Sequence, residues 1–110
     1  MGNVYYNPEE FGLVVVVEAE GDTQGYGFDL TVVWKEVKSG KLYWAHDSGC
    51  SCPSPFEDYV SVDMLNPLSC YSHRASLEAA MRDAGVPYDR SERVVRRVKS
   101  ADPGRFNYGA

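Results

Sequence analysis

Between Phe28 and Asp47 the chain alternates apolar and polar side chains with a period of two, and no other stretch restricts the fold as strongly. Read as a strand, Phe28 to Glu36 sets Phe28, Leu30, Val32 and Trp34 on one face, with Asp29, Thr31, Val33 and Lys35 on the other. Ser39-Gly40 closes a tight hairpin, and Lys41 to Asp47 returns as the next strand. There Leu42, Trp44 and His46 share one face, and Tyr43, Ala45 and Asp47 the other. Upstream, Leu13 to Ala19 is dense in β-branched residues and reads as a further strand. The glycine-rich segment Gly21 to Gly27 turns it into the alternating pair. The expected sheet is therefore a three-stranded antiparallel meander. A single open sheet needs a cover on its apolar face.

The cover is legible downstream. Leu77, Ala80, Met81 and Ala84 recur at i, i+3, i+4 and i+7 and predict a helix over 72–84, stopped by Gly85 with Pro87 following. Ser91 is the expected N-cap of a second helix over 92–100, which Asp102-Pro103-Gly104 ends. The fold class is α+β: one domain over 1–110, with an N-terminal arm (1–12), a three-stranded meander covered by two C-terminal helices, and a loose tail (105–110). The face of Phe28, Leu30, Val32 and Trp34 is expected to be the main core face, with Leu77, Met81 and Val94 against it or close by.

The net charge of -5 conceals an asymmetry. Residues 1–70 hold three lysines against eleven acids, whereas residues 71–110 hold eight basic residues against five acids. The acidic whole argues against long-range attraction to nucleic acid. No apolar run approaches the roughly 20 residues of a membrane helix. Met1 to Tyr6 lacks the basic and apolar pattern of a secretory leader, so the cytosol is the expected address. Three cysteines cannot all pair, and in a reducing compartment they read as free thiols or metal ligands.

Candidate chemistry gathers in Asp47-Ser48-Gly49-Cys50-Ser51-Cys52-Pro53-Ser54-Pro55-Phe56-Glu57-Asp58. Pro53 and Pro55 fix their own backbone angles and restrict the residues before them, so an ordered loop is expected, with Phe56 tucked inward as its anchor. His46, Cys50, Cys52, Cys70 and His73 are candidate zinc ligands, although Cys-x-Cys is a poorer clamp than the usual Cys-x2-Cys knuckle. Packed or inert thiols are the competing reading. A nucleophilic Cys50 or Cys52 with His46 or His73 as base finds no surrounding signature, and no catalytic residue is assigned. Arg90, Arg93, Arg96, Arg97 and Lys99 make the second helix basic, but no base-reading motif accompanies them, so nucleic acid is not an expected partner. The glycines of 21–27 precede a strand, not a helix, which rules out a dinucleotide fingerprint. Tyr5, Tyr6, Tyr26, Tyr59, Tyr71, Tyr88 and Tyr108 fall outside the strongest periodic segments, and tyrosine suits interfaces. Cys50, Cys52, Pro53, Pro55, Phe56, Glu57, Asp58 and Tyr59 are accordingly the candidate binding residues.

Tyr5-Tyr6-Asn7-Pro8-Glu9-Glu10-Phe11-Gly12-Leu13, the strand ending Val32-Val33-Trp34, and the cysteine-proline loop occur together. In this combination the chain resembles a group of small proteins encoded by actinobacterial phages, mycobacteriophages among them. The resemblance covers about the first sixty residues and the helix around Ser76-Leu77. It carries over no activity. It implies a host-cytoplasmic address and a small factor that binds a host protein or a defence component. The leading expectation is a non-enzymatic accessory protein without a cofactor and without a membrane partner. The alternatives are a small structural zinc domain and a protein that captures a small ligand such as a nucleotide signal, in a pocket between the loop and the sheet.

Overall fold

A computed structural model describes residues 2–23, 27–50 and 54–101. In chain order they form a 3-10 turn (Pro8–Phe11), β1 (Leu13–Glu20), β2 (Phe28–Glu36), β3 (Leu42–Gly49), a second 3-10 turn (Val62–Met64), β4 (Asn66–Pro67), α1 (Tyr71–Asp83) and α2 (Tyr88–Ala101). The architecture is α+β, with an antiparallel sheet followed by two helices.

The sheet has four strands in the order β1-β2-β3-β4, which corrects the expected three. The fourth consists of two residues, pairing Pro67 with Tyr43 and Asn66 with Trp44. Two residues carry no periodicity, and a proline is tolerated on a sheet edge because one side of the strand needs no donor.

Both faces of the sheet are covered. On one, Ala19, Val33, Leu42 and Trp44 pack with Leu77, Met81, Val94 and Val98 of the helices. On the other, Leu13, Leu30, Val32, Trp34 and Ala45 pack with Val4 of the arm and with Phe56 and Leu65 of the β3–β4 connection. This corrects the expected core face. Leu30, Val32 and Trp34 turn away from the helices, and Val33 meets them. The cause is register: Val33 lies opposite Trp44, so Val33, Leu42 and Trp44 form one apolar surface, which takes the helices. Trp34 is committed to the other side, where its indole Nε1–H donates to the Val4 carbonyl at 2.9 Å. β2 is thus a central strand buried from Leu30 to Trp34.

The valine run of β1 hides a β-bulge. The register shifts between Val15 and Val17, leaving Val16 as the extra residue. Up to Val15 the odd-numbered residues face the arm side; from Val17 onward they face the helices. The bulge therefore puts Ala19 into the helix-side core and Glu18 onto the arm face.

α1 ends in a Schellman motif: Val86 N–H reaches the Met81 carbonyl, Gly85 N–H reaches that of Arg82, and Gly85 sits at φ 76°. α2 begins at Tyr88, three residues before the expected cap. The Pro87 carbonyl accepts from Arg90 and Ser91 N–H, both at 3.0 Å, so proline sets the first turn and Ser91 lies inside the helix. The expected loose tail over 105–110 lies outside the described residues.

Candidate functional site

The arm side of the sheet is built around one residue. Phe56 is fully buried, yet its backbone adopts φ 58°, a left-handed conformation that bulky side chains avoid. Two restraints hold it there. Its N–H donates to Asp47 Oδ2 at 2.7 Å, and its ring meets three others. Trp34 lies edge-on with centroids 5.4 Å apart, Tyr59 edge-on at 5.1 Å, and Tyr5 tilted at 5.5 Å. Such pairs contribute about 0.5–1.5 kcal/mol each beyond the area they bury. Asp47 can serve as the cap because β3 alternation points it to the arm face, opposite to His46.

The arm is tied to this cluster by its backbone. Val4 N–H donates to the Tyr59 carbonyl at 3.0 Å, and the Val4 carbonyl takes the Trp34 indole. Tyr5 Oη donates to Glu18 Oε1 at 2.9 Å. Burial, reinforced by the Glu18 carboxylate, pushes the Tyr5 phenol up to about 12. Burial also raises the Tyr59 phenol, with the Asp47 charge adding to it. Tyr59 Oη makes a long contact of 3.4 Å to the His46 carbonyl.

With the anchor inside, its neighbours are turned outward. Glu57, Asp58 and Asp63 are exposed. Tyr6, Val60 and Met64 expose 56%, 47% and 50% of their surface. Tyr6 packs edge-on against Tyr5, with centroids 5.0 Å apart. Ser61 Oγ accepts the Asp63 N–H at 3.2 Å and fixes the turn that presents Met64. Val60 and Met64 were not singled out from the sequence. The signal available was their place beside an aromatic anchor in a segment without periodicity.

The candidate ligands for zinc are dispersed. Cys52 and Pro53 lie outside the described residues, and so does the expected order of the loop over 51–53. Cys50 is exposed just past β3. His46 sits on the helix-facing side of β3, its Nε2 2.8 Å from Asp29 Oδ1. Cys70 occupies the N-cap position of α1, 3.2 Å from Ser72 Oγ. The Ser72 hydroxyl is the main cause, with the His73 backbone N–H second, of a thiol pKa below the ordinary value. His73 Nδ1 accepts the Ser69 N–H at 3.1 Å. Among the described residues, no three His, Cys, Asp or Glu side chains converge to hold an ion. His46 and Cys50 are four residues apart on extended chain, about 13 Å, too far for a base and its nucleophile. The Phe56 ring is fully buried in the arm-side cluster; the part of the cysteine-proline loop over 51–53, beside which a ligand pocket was one expectation, lies outside the described residues.

The fold and this surface define a small α+β domain whose sheet is covered on one side by helices and on the other by its own arm and an aromatic-anchored connection. No helix among the described residues is long and apolar enough to cross a membrane. The chain matches the family model named domain of unknown function DUF7574 over residues 2–103, and it belongs to that family. No curated protein and no solved structure matches it.

Proposed function

We propose that this domain is a non-enzymatic binding protein that docks a host protein on its arm face. The phage-type resemblance supplies the setting, the cytoplasm of an infected host. The observation that carries the reading is the aromatic cluster of Tyr5, Trp34, Phe56 and Tyr59, with Tyr6 packed on Tyr5 and with Val60 and Met64 exposed on the connection that Phe56 anchors. A rigid base lets exposed apolar residues bind without a large ordering cost. Glu57, Asp58 and Asp63 lie on the same connection, so the complementary partner surface is apolar at its centre and basic at its rim.

The test is site-specific photo-crosslinking in host extract, with the cross-linker at position 6 or 64 and a control at position 96 on α2. One basic-surfaced host protein should be labelled from positions 6 and 64 and not from 96. A Glu57→Lys/Asp58→Lys variant that melts with the parent should abolish that labelling. Equal labelling from all three positions, or labelling indifferent to the charge reversal, would count against the arm face.

A further inference from the structure

β1 lies at the edge of the sheet, so among the described residues its outer side has no strand partner. Glu18 and Glu20 have their backbone groups directed outward, because Ala19 and Gly21 are the residues that bond inward, the latter through its N–H to the Asp29 carbonyl at 2.9 Å. The outward carbonyls of this edge are met by guanidinium groups from α2. Arg97 Nη2 donates to the Val16 carbonyl at 3.2 Å, Arg93 Nη2 to that of Glu18 at 3.4 Å, and Arg90 Nη1 to that of Glu20 at 3.4 Å.

The sequence spacing makes this arrangement possible. Arg90, Arg93 and Arg97 stand at i, i+3 and i+7 and share an arc of roughly 60° on the helix. That arc borders Val94 and Val98, which bury against the sheet. The arginine numbers rise as the carbonyl numbers fall, so helix and strand run in opposite directions. Seven helical residues rise about 10 Å and four strand residues about 13 Å, a mismatch that long side chains absorb. Glu18, Glu20, Leu30, Arg90 and Arg93 line one cleft of about 350 Å³ at this edge, so the strand edge and the helix close on each other there.

We propose that Arg90, Arg93 and Arg97 form a ladder that closes the β1 edge against strand pairing with a second copy of this chain. An incoming strand needs the outward carbonyls as acceptors, and three successive ones are already occupied. The hazard is real for this strand, since Val14 and Val15 are exposed just before the ladder begins and unprotected apolar edges associate. The opposite edge of the sheet is blunted differently, by a two-residue strand containing Pro67. Three of the five basic residues of α2 are thus accounted for by the sheet edge beneath it. Arg96, on another side of the helix, takes no part in the ladder.

Analytical ultracentrifugation of the full chain tests this. The parent and Arg96→Ala should sediment at the single-chain mass of 12.3 kDa. Arg90→Ala/Arg93→Ala/Arg97→Ala should add a concentration-dependent species of twice that mass. It should do so although it removes three positive charges from a chain already at -5, which by itself increases repulsion. Adding Glu20→Pro, which deletes an outward N–H and no bond to β2, should return the triple variant to the single-chain mass. If the triple variant loses its cooperative melt, Arg90→Ala/Arg93→Ala is used instead, with the same outcome expected to a smaller extent. A folded variant that stays at the parent's mass overturns the proposal. So does a dimer indifferent to Glu20→Pro, or a parent that is already dimeric and unchanged by the substitutions.

Discussion

Replacing Phe56 distinguishes two effects that usually act together. Phe56→Ala removes a fully buried ring from contact with Trp34, Tyr5 and Tyr59. A large-to-small change of this kind costs about 3–5 kcal/mol. Against a total of roughly 5–15 kcal/mol for a domain, the variant should be marginal but foldable. Phe56→Gly removes the same ring, and in most positions glycine is less stable than alanine by about 0.5–1 kcal/mol, because its unfolded chain is freer. Here the sign should reverse. At φ 58° a Cβ crowds the following carbonyl, costing about 1–2 kcal/mol, and glycine is spared that. The two terms leave Phe56→Gly more stable than Phe56→Ala by up to about 1.5 kcal/mol. Urea denaturation of both variants, compared at equal m-value, measures the difference. If alanine proves the more stable, Phe56 does not hold a left-handed backbone, and the account of the anchor is wrong. If Phe56→Ala melts with the parent, the ring is not the keystone of the arm-side core.

Asp47→Ala leaves the buried Phe56 N–H without its acceptor and should cost about 1–3 kcal/mol, whereas Ser48→Ala, exposed beside it, should be near neutral by the same denaturation assay. The Tyr5 phenol is raised in the folded state from 10.0 to about 12, so its contribution is fully present below pH 10 and is lost as pH rises toward 12; Tyr5→Phe should flatten the alkaline fall in stability, and an unchanged slope would refute the assignment. In a Cys50→Ser/Cys52→Ser background the Cys70 thiol should be alkylated with a midpoint below that of a free thiol, and Ser72→Ala should move the midpoint up; no movement would remove Ser72 as the cause.

The elements that alternate or repeat within themselves were legible in the sequence, and those that depend on a partner were not. β2 begins and ends where its period of two does, and α1 follows its i, i+3, i+4 apolar set to within a residue at each end. Each of these signals is local. Which face of β2 would meet the helices was not local, because it depends on Val33 lying opposite Trp44 across the hairpin. Five residues of nearly continuous valine gave no sign that Val16 is an extra residue, since a bulge exchanges one apolar neighbour for another. The arm offered no periodicity, and it covers the sheet through a backbone bond from Val4, the indole donor of Trp34 and the Tyr5 hydroxyl on Glu18. Prolines beside Phe56 were enough to expect an inward anchor, but nothing in the sequence showed that Asp47, nine residues earlier, would cap it.

Covering the second face of the sheet with arm and connection changes what the domain can offer a partner. In an open α+β sandwich the uncovered sheet face is the broad apolar surface, and a partner reads side chains that alternate from strands. Here that surface is spent on Leu30, Val32, Trp34 and Ala45, all buried. What remains outside on this side is carried by non-repetitive chain: Tyr6 two residues past the Val4 bond, Val60 one residue past Tyr59, and Met64 in the turn that follows. Irregular chain is ordinarily mobile, and mobility weakens binding by the ordering it requires. Here the chain is anchored beside Tyr6 and Val60, through Tyr5 and Tyr59 of the aromatic cluster, and the strained Phe56 is the feature most dependent on that cluster. The helix side exposes Tyr71 and Tyr88 instead. Its arginines at 90, 93 and 97 are bonded to the β1 edge, and its valines at 94 and 98 are inside. Exposed apolar and acidic side chains lie together on the arm-side connection, in Val60 and Met64 and in Glu57, Asp58 and Asp63.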